Sequence, residues 1–216
     1  MNVLVIAPHP DDESIGCGGT LALHSDRGDR VVAAFLTSGE QGIKSMPRAA
    51  AWRLRECEAQ DAAEVLGFAR LVFLRQPDWF VEDNIAEAAG KLRAVLDAET
   101  PERIYLPHPG EWHPDHAAAQ KVLREALGPR AGDAPELLCY EVWTPLSAPD
   151  AVENITSTFL RKRRAIQCYV SQLAEFRYDR AVQGLNRFRG ELGAKCRYAE
   201  AFSHCEPSPS RAEPAP

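Results

Sequence analysis

The sequence predicts an α/β fold in which helices flank a mainly parallel sheet, with a helical appendage at the C-terminus. Five short apolar segments have the length and composition of buried strands. Helical segments alternate with these strands, which is typical of βαβ units and a parallel sheet. After the fifth strand the pattern becomes helical, and this change predicts the appendage. A succession of βαβ units of this kind is Rossmann-like.

The boundaries of the predicted elements follow from apolar runs and turn residues. Strands are predicted over residues 3–6, 31–37, 71–74, 103–106 and 137–143. Helices are predicted from Thr20 to near Gly28, over 48–66 with Gly67 as the stop, over 84–96 and over 117–127. Helices 158–174 and 180–192 form the appendage, and the apolar segment 198–202 is suited to docking on the sheet.

Composition and charge narrow the possible classes of function. A net charge of −6 argues against a nucleic-acid backbone as the main partner. The N-terminus has no signal-peptide pattern and no apolar run reaches bilayer length, so we expect a cytoplasmic protein without a membrane span. We interpret the basic run 161–164 as the solvated face of a helix.

The chain is expected to form one domain over residues 1–205. Residues 206–216, rich in Pro, Ser, Glu and Ala, are predicted to be a mobile tail, and the sequence is compatible with a homo-oligomer. The six cysteines include no CxxC pair, which disfavours a thiolate zinc site. We expect most of them to be reduced and buried as small apolar side chains.

The strongest chemical signal follows the first strand. The segment Ala7-Pro8-His9-Pro10-Asp11-Asp12-Glu13 places one imidazole and three carboxylates at the carboxyl end of that strand. In an open α/β sheet this edge is where ligands bind. A single acid here would be interpreted as a helix cap. The whole cluster, which includes a histidine, favours a metal site.

A second polar cluster, residues 107–116, follows the fourth strand and contains His113 and His116. A catalytic zinc commonly takes three protein ligands and leaves one position open, so the two clusters together offer enough ligands. The ligand candidates from both clusters are His9, Asp12, His113 and His116. Zinc and ferrous iron suit such ligands equally. Three further histidines are interpreted as structural: His24, His108 and His204.

Other residues on the chain have competing interpretations. Asp78 follows the third strand and is a further carboxylate at a carboxyl end. Arg55 and Glu58 share one helix face, where an exposed ion pair is the simplest interpretation. The glycines between residues 16 and 19 suit close packing or a nearby ligand. A dinucleotide-binding GxGxxG fingerprint fails, because Leu21 occupies its last glycine position.

The two clusters resemble the paired motifs of the PIG-L/LmbE-like zinc N-deacetylases. The residues that carry this resemblance are His9-Pro10-Asp11-Asp12-Glu13 and His113-Pro114-Asp115-His116. Further similar positions are Arg55, Glu58, Asp78, the segment 162–172 and Glu200-Ala201-Phe202. Known members act on N-acetylglucosaminyl conjugates, including those of mycothiol, bacillithiol and GPI-anchor synthesis. The segment 110–112 differs from the tyrosine-bearing loop of the mycothiol branch, which argues against transferring that branch's substrate.

The resemblance implies a metal centre and a base. His9, Asp12 and His116 would bind zinc, with ferrous iron as the alternative, and Asp11 would be the general base. The implied reaction is removal of acetyl from an N-acetylglucosamine-type conjugate, a small-molecule substrate. Two alternatives are an amidohydrolase acting on a non-sugar acyl amide and a non-catalytic sugar- or nucleotide-binding module.

The resemblance also implies roles around the centre. His113 would stabilise the oxyanion or protonate the leaving amine, and Asp115 would orient His113. With Asp115 behind it, we expect His113 to be cationic near neutral pH. Arg55 and Asp78 would hold sugar hydroxyls or the head group of the conjugate, and Glu13 would support the centre from behind.

Overall fold

The computed structural model of this chain describes residues 1–128 and 134–205. Its strands are β1 (Asn2–Ala7), β2 (Arg30–Thr37), β3 (Arg70–Gln76), β4 (Arg103–Pro107), β5 (Glu136–Tyr140), β6 (Ala151–Asn154) and β7 (Ala199–His204). Its α-helices are α1 (Asp12–Asp26), α2 (Arg48–Leu66), α3 (Ile85–Glu99), α4 (Pro114–Leu127), α5 (Phe159–Cys168), α6 (Val170–Leu173) and α7 (Tyr178–Arg189). A 3₁₀ turn, Glu82–Asn84, precedes α3, and a π-helical turn, Gly190–Ala194, follows α7.

The strands form one sheet in the order β3-β2-β1-β4-β5-β7-β6. Strands β1 to β5 run parallel to one another, whereas β7 runs antiparallel to both β5 and β6. The prediction of a mainly parallel, Rossmann-like sheet is therefore confirmed. The segment 198–202 does dock on the sheet, as strand β7 between β5 and β6.

Helices cover both faces of the sheet. Leu4 and Ile6 of β1 pack in one core cluster with α3 and α4, and Val3 and Val5 pack in the other with α1, α2 and α5. These four side chains are at most 1% exposed, as expected for a strand in the middle of a covered parallel sheet. The buried strand thus fixes the position of the residues that leave its carboxyl end.

The first helix begins earlier than predicted, at Asp12 instead of Thr20. It continues through the glycines with a kink at Cys17, which has a φ of −138°. Glycine occupies these positions because a larger residue would not fit. A Cβ on Gly16 would overlap the ring of Tyr140, and one on Gly19 would lie 2.7 Å from Ile155. Of the two interpretations of these glycines, close packing is the one that the fold uses. As a result Asp12 and Glu13 occupy the first turn of α1.

The C-terminal part departs from prediction in several elements. The predicted helix 158–174 is interrupted at Tyr169, which has ψ 61° and separates α5 from α6. The last helix is shifted to start at Tyr178 and end at Arg189. Strand β5 ends at Tyr140 instead of residue 143, and β6 has no apolar run that would have revealed it.

The basic run 161–164 is not simply a solvated face. Lys162 is fully buried, and its Nζ lies 2.6 Å from Oε1 of Glu200, which is also fully buried. Glu200 further accepts hydrogen bonds from the backbone N–H groups of Gly19 and Thr20. The prediction was wrong for Lys162 because the partner lies on β7, which the local sequence does not reveal.

The cysteines agree only in part with expectation. Four of the six are free, but Cys139 and Cys205 form a disulfide between β5 and the residue after β7. Cys17 and Cys139 are buried, whereas Cys57 is exposed, so the expected burial is wrong for most of them. In the residues that the structure describes, no helix has the length and apolarity needed to cross a membrane. The predicted tail, 206–216, lies outside the described residues.

Candidate metal centre and active site

The two polar clusters meet at one edge of the sheet, where two helices begin. Strands β1 and β4 are neighbours, so their carboxyl ends bring both clusters together. Helix α1 starts at Asp12, inside the first cluster, and α4 starts at Pro114, directly after His113. Proline suits the first helical position because it lacks the N–H that would remain unpaired there. Both clusters therefore lie at helix N-termini, whose positive potential favours ionised carboxylates.

Three ligand atoms form a nearly equilateral triangle. Asp12 Oδ2 lies 3.2 Å from His9 Nδ1 and 3.2 Å from His116 Nε2, and the two nitrogens are 3.3 Å apart. A tetrahedral zinc with bonds of about 2.0 Å has ligand atoms separated by about 3.3 Å. The triangle thus has the dimensions of one face of such a tetrahedron, and these residues fit a small divalent ion.

His113 is the other histidine within reach of an ion. Ligand atoms of His9, His113 and His116 lie within 4.8 Å of one another. The alternative that His113 is a ligand therefore stays compatible with the distances.

The second nitrogen of each triangle histidine faces carboxylates. His9 Nε2 lies 3.1 Å from Asp115 Oδ2 and 3.2 Å from Asp78 Oδ1. His116 Nδ1 is buried without a hydrogen-bond partner in the described structure, and Glu111 Oε2 is 3.7 Å away. Metal-ligating histidines usually direct the remaining N–H at a carboxylate or carbonyl, which fixes the tautomer. The surroundings of His9 match this arrangement, and Glu111 offers His116 a carboxylate just beyond hydrogen-bond distance.

Glu111 is a residue of the site that the sequence did not single out. It is 5% exposed, and its Oε1 accepts hydrogen bonds from the backbone N–H groups of Val142 at 2.7 Å, Trp143 at 3.1 Å and Thr144 at 3.2 Å. Glu111 thus joins the turn after β5 to the neighbourhood of His116. The one available signal for Glu111 was its position inside the second polar cluster. At the level of the sequence, the segment 110–112 was interpreted only as a difference from the mycothiol branch.

Charge interactions within the triangle are strong. Burial disfavours the charged form of His9, but hydrogen bonds to Asp115, Asp12 and Asp78 outweigh it and raise the pKa of His9 well above its usual value. Burial opposes ionisation of Asp12 as well, yet His116 and His9 hold the pKa of Asp12 below its usual range. Asp12 is therefore a carboxylate ready to accept a cation.

Asp11 lies beside the triangle and not in it. Its φ of 129° is strained for a residue with a Cβ, as often found at functional sites. Glu13 Oε2 accepts the N–H of Asp11 at 3.1 Å, and Glu13 Oε1 is in turn held by the hydroxyl of Tyr169 at 2.6 Å. Burial raises the pKa of the Asp11 carboxyl well above its usual range, and the Arg55 guanidinium opposes the shift from 3.4 Å.

Arg55 and Glu58 do not form the exposed ion pair considered from the sequence. Both are buried, at 2% and 5% exposure. Arg55 contacts Asp11 and donates to the carbonyl of Pro10. Glu58 accepts from the backbone N–H and hydroxyl of Ser171 in α6. Arg55 is therefore part of the site, whereas Glu58 anchors α6.

The surroundings of His113 differ from the expectation. The carboxylate of Asp115 faces His9 and accepts the N–H groups of Trp79 and Val81, so it does not orient His113. Instead the backbone N–H of Asp115 donates to His113 Nδ1 at 3.3 Å, which puts the proton of neutral His113 on Nε2. Burial, followed by the charges of His9 and His116, lowers the pKa of His113 to about 4. The carboxylate that was expected to favour a cationic His113 is therefore turned towards His9.

A cleft of about 480 Å³ opens over these groups. Asp78 lines it and accepts the backbone N–H of Gln41 at 2.8 Å. Further side chains that line the cleft are those of His9, Asp11, Asp12, Lys44, Arg55, Trp112, His113, Trp143, Gln172, Glu175, Phe176 and Tyr178. The predicted site residues that line it therefore include Arg55 and Asp78. His24 and His108 do not line the cleft. His24 forms a hydrogen bond with the hydroxyl of Tyr105, and His108 forms one with the carbonyl of Thr144.

The fold and the site define a Rossmann-like α/β protein with a candidate metal centre and an adjacent buried carboxyl at the ligand edge of the sheet. The chain belongs to the PIG-L family, described as GlcNAc-PI de-N-acetylase, whose model matches residues 4–127. A probable N-acetyl-alpha-D-glucosaminyl L-malate deacetylase 2 of Bacillus cereus is 31% identical over 183 residues, covering 79% of this chain and 83% of that protein.

Solved structures agree on the fold over nearly the whole chain. The N,N'-diacetylchitobiose deacetylase of Pyrococcus horikoshii has a TM-score of 0.81 at 25% identity and covers 95% of this chain and 84% of its own. The 4-carboxy-2-hydroxymuconate hydratase of Pseudomonas putida has a TM-score of 0.78 at 25% identity, covering 99% and 100%. The same fold thus serves a hydratase, so the reaction has to be argued from the site and the family.

Proposed function

We propose that this protein is a metal-dependent hydrolase that removes the acetyl group from an N-acetylglucosamine-type conjugate. The observation that carries the proposal is the triangle of His9, Asp12 and His116 beside a separate buried carboxyl, Asp11. The family description and the relative from Bacillus cereus support deacetylation over hydration. A module that only binds sugar has no need for an unligated buried acid next to a metal centre.

His9, Asp12 and His116 would hold the ion, with zinc as our first assignment and ferrous iron as the alternative, since both suit these ligands. When bound, such an ion polarises a carbonyl and lowers the pKa of a water molecule. Asp115 and Asp78 would keep the His9 ring in place through Nε2, from 3.1 and 3.2 Å. Glu111 would do the same for His116 through Nδ1.

Asp11 would be the general base. It takes the proton from the attacking water as the new C–O bond forms and passes it to the leaving nitrogen as the C–N bond breaks. The products are acetate and the free amine. A raised pKa suits both steps, because a group that titrates nearer to neutrality can accept and return a proton.

His113 would stabilise the oxyanion as a neutral donor. The backbone N–H of Asp115 occupies Nδ1, so Nε2 carries the proton and can donate it to a negatively charged oxygen. This donor strengthens its hydrogen bond as charge develops, which is the condition for acceleration. Asp78, whose carboxylate lines the cleft, would accept a hydroxyl of the sugar.

The test is release of primary amine from N-acetylglucosaminyl conjugates, with metal analysis of the same samples. We expect Asp11→Asn to keep its metal and lose about a hundred- to ten-thousand-fold in rate. His204→Ala is the matched control, since His204 is exposed and far along β7. Near-normal turnover by Asp11→Asn would remove the base from the mechanism. Amine release only from N-acetylated compounds without a sugar would favour the alternative amidohydrolase.

A further inference from the structure

Four aromatic side chains form a continuous surface at the mouth of the cleft, which we call the aromatic wall: Trp112, Trp143, Phe176 and Tyr178. Ring centroids are 5.9 Å apart for Trp112 and Trp143, 5.3 Å for Trp143 and Tyr178, and 5.7 Å for Phe176 and Tyr178. Trp112 is 62% exposed and Phe176 is 58% exposed. A contiguous patch of exposed aromatic rings beside a cleft marks a binding surface.

The aromatic wall begins next to the reacting groups. The ring of Trp112 lies 5.5 Å from that of His113, and Trp143 lies one ring further out. In an N-acetylglucosamine conjugate the acetamido group and the aglycone are on adjacent carbon atoms. With the acetyl group at the metal centre, the aglycone is therefore the part of the substrate within reach of the aromatic wall.

The cleft is poorly equipped for an anionic aglycone. Of its two cationic side chains, Arg55 is committed to Asp11 and to the carbonyl of Pro10. Among the described lining residues this leaves Lys44 as the one uncommitted cation, and Asp78 and Glu175 add negative charge. Glu175 would therefore repel a dicarboxylate at the aromatic wall, and Lys44 is the side chain available to offset that repulsion.

The segment that carries Phe176 and Tyr178 offers few side chains for the hydroxyls of a second sugar. Residues 172–175 precede Phe176 in the chain. Two of them, Gln172 and Glu175, direct polar side chains to the cleft. Gln172 already donates to the hydroxyl of Ser171 at 3.2 Å. A second sugar would stack its C–H face on the aromatic wall, but the hydroxyls at its rim would find few side-chain partners on this segment, so it gains less here than a fully apolar ring does.

We propose that the aromatic wall is an aglycone site for an uncharged aromatic ring, so that the substrate class is an aryl N-acetylglucosaminide. This inference rests on the proposed function and specifies its substrate. An aryl ring offers offset and edge-on contacts to the wall, and each aromatic pair contributes about a 2- to 10-fold gain in affinity. Trp143 is central to this site because it contacts Trp112, Phe176 and Tyr178.

The experiment compares two α-linked substrates that differ only in the aglycone, phenyl and L-malyl N-acetylglucosaminide, with N,N'-diacetylchitobiose as a third. We expect kcat/KM for amine release to be at least tenfold higher for the phenyl compound. Trp143→Ala should reduce this preference by about 2- to 10-fold. Phe188→Ala is the matched control, because Phe188 is an exposed aromatic residue that does not line the cleft. A preference for the malyl compound or chitobiose overturns the inference.

Binding to the Asp11→Asn variant separates this inference from the proposed function, since the conjugates then stay intact. Calorimetry should give tighter binding of the phenyl than of the malyl compound, and Trp143→Ala should reduce the difference by about 2- to 10-fold. If this holds while wild-type protein releases no amine from any conjugate, the aglycone site stands and the deacetylase proposal fails. If amine is released but the two compounds bind equally, the deacetylase proposal stands and the aglycone inference fails.

Discussion

Replacing Arg55 by alanine should move the acid limb of the pH–rate profile to higher pH. Arg55 Nη2 lies 3.4 Å from Asp11 Oδ2, and both side chains are buried. At an effective dielectric constant of about 20 this separation corresponds to an attraction of about 5 kcal/mol. Solvent in the open cleft and local rearrangement reduce the effect to the range of about 1–3 pKa units known for an aspartate beside an arginine.

The sign follows from the charges. Burial already raises the pKa of Asp11, and Arg55 is the main group that opposes the shift. Without Arg55 the pKa of Asp11 rises further, so the ionised base is lost at a higher pH as the solution is acidified. The acid limb of the plot of kcat/KM against pH should therefore shift to a pH that is higher by about 1–3 units.

The assay is amine release measured across the pH range in which the protein stays folded and metal-loaded. Arg55→Lys keeps a positive charge and should keep the limb close to that of the wild type. If Arg55 serves only to hold the sugar, as the family resemblance implies, KM will rise while the limb stays in place. A limb at the wild-type position in Arg55→Ala, with metal content intact, would refute the electrostatic coupling.

Three further changes test the metal centre, the carboxylate beside it and the buried ion pair between α5 and β7. His116→Ala should lose most of its bound metal in elemental analysis, and full occupancy would show that the triangle is wrongly assigned. Glu111→Gln should weaken metal affinity by about 10- to 100-fold in chelator competition, since the partner of His116 Nδ1 loses its charge; unchanged affinity would limit Glu111 to the turn after β5. Lys162→Met should lower the free energy of unfolding by about 3–5 kcal/mol, because Glu200 is left as a buried unpaired charge. Arg164 is exposed and lies in the same basic run, so Arg164→Met should change the free energy of unfolding by no more than about 0.5 kcal/mol. An equal loss of stability in both variants would contradict the pairing of Lys162 with Glu200.

The sequence predicts those elements whose signals are local. Helix α2 has the predicted bounds, Arg48–Leu66, because Gly67 ends it with a φ of +81°. The convergence of the two clusters also follows from local signals, since parallel strands place their carboxyl ends at the same edge. These two signals suffice to predict the fold class and to locate the candidate metal centre.

The features that the sequence did not predict depend on partners that lie far along the chain. The buried state of Lys162 requires Glu200, and the break at Tyr169 accompanies a hydrogen bond from its hydroxyl to Glu13. The surroundings of His113 depend on where the Asp115 carboxylate points, and it points to His9. The spacing of two residues between His113 and Asp115 does not specify the direction in which the Asp115 carboxylate points.

The way Glu111 holds the turn after β5 has a consequence for engineering. Its carboxylate binds the main-chain N–H groups of Val142, Trp143 and Thr144, not their side chains. Every amino acid except proline carries that N–H, so a mutant library at these three positions can vary the aromatic wall while the anchor stays in place. Selection from such a library for new aglycones should therefore return diverse side chains at position 143, and proline should be absent from all three positions.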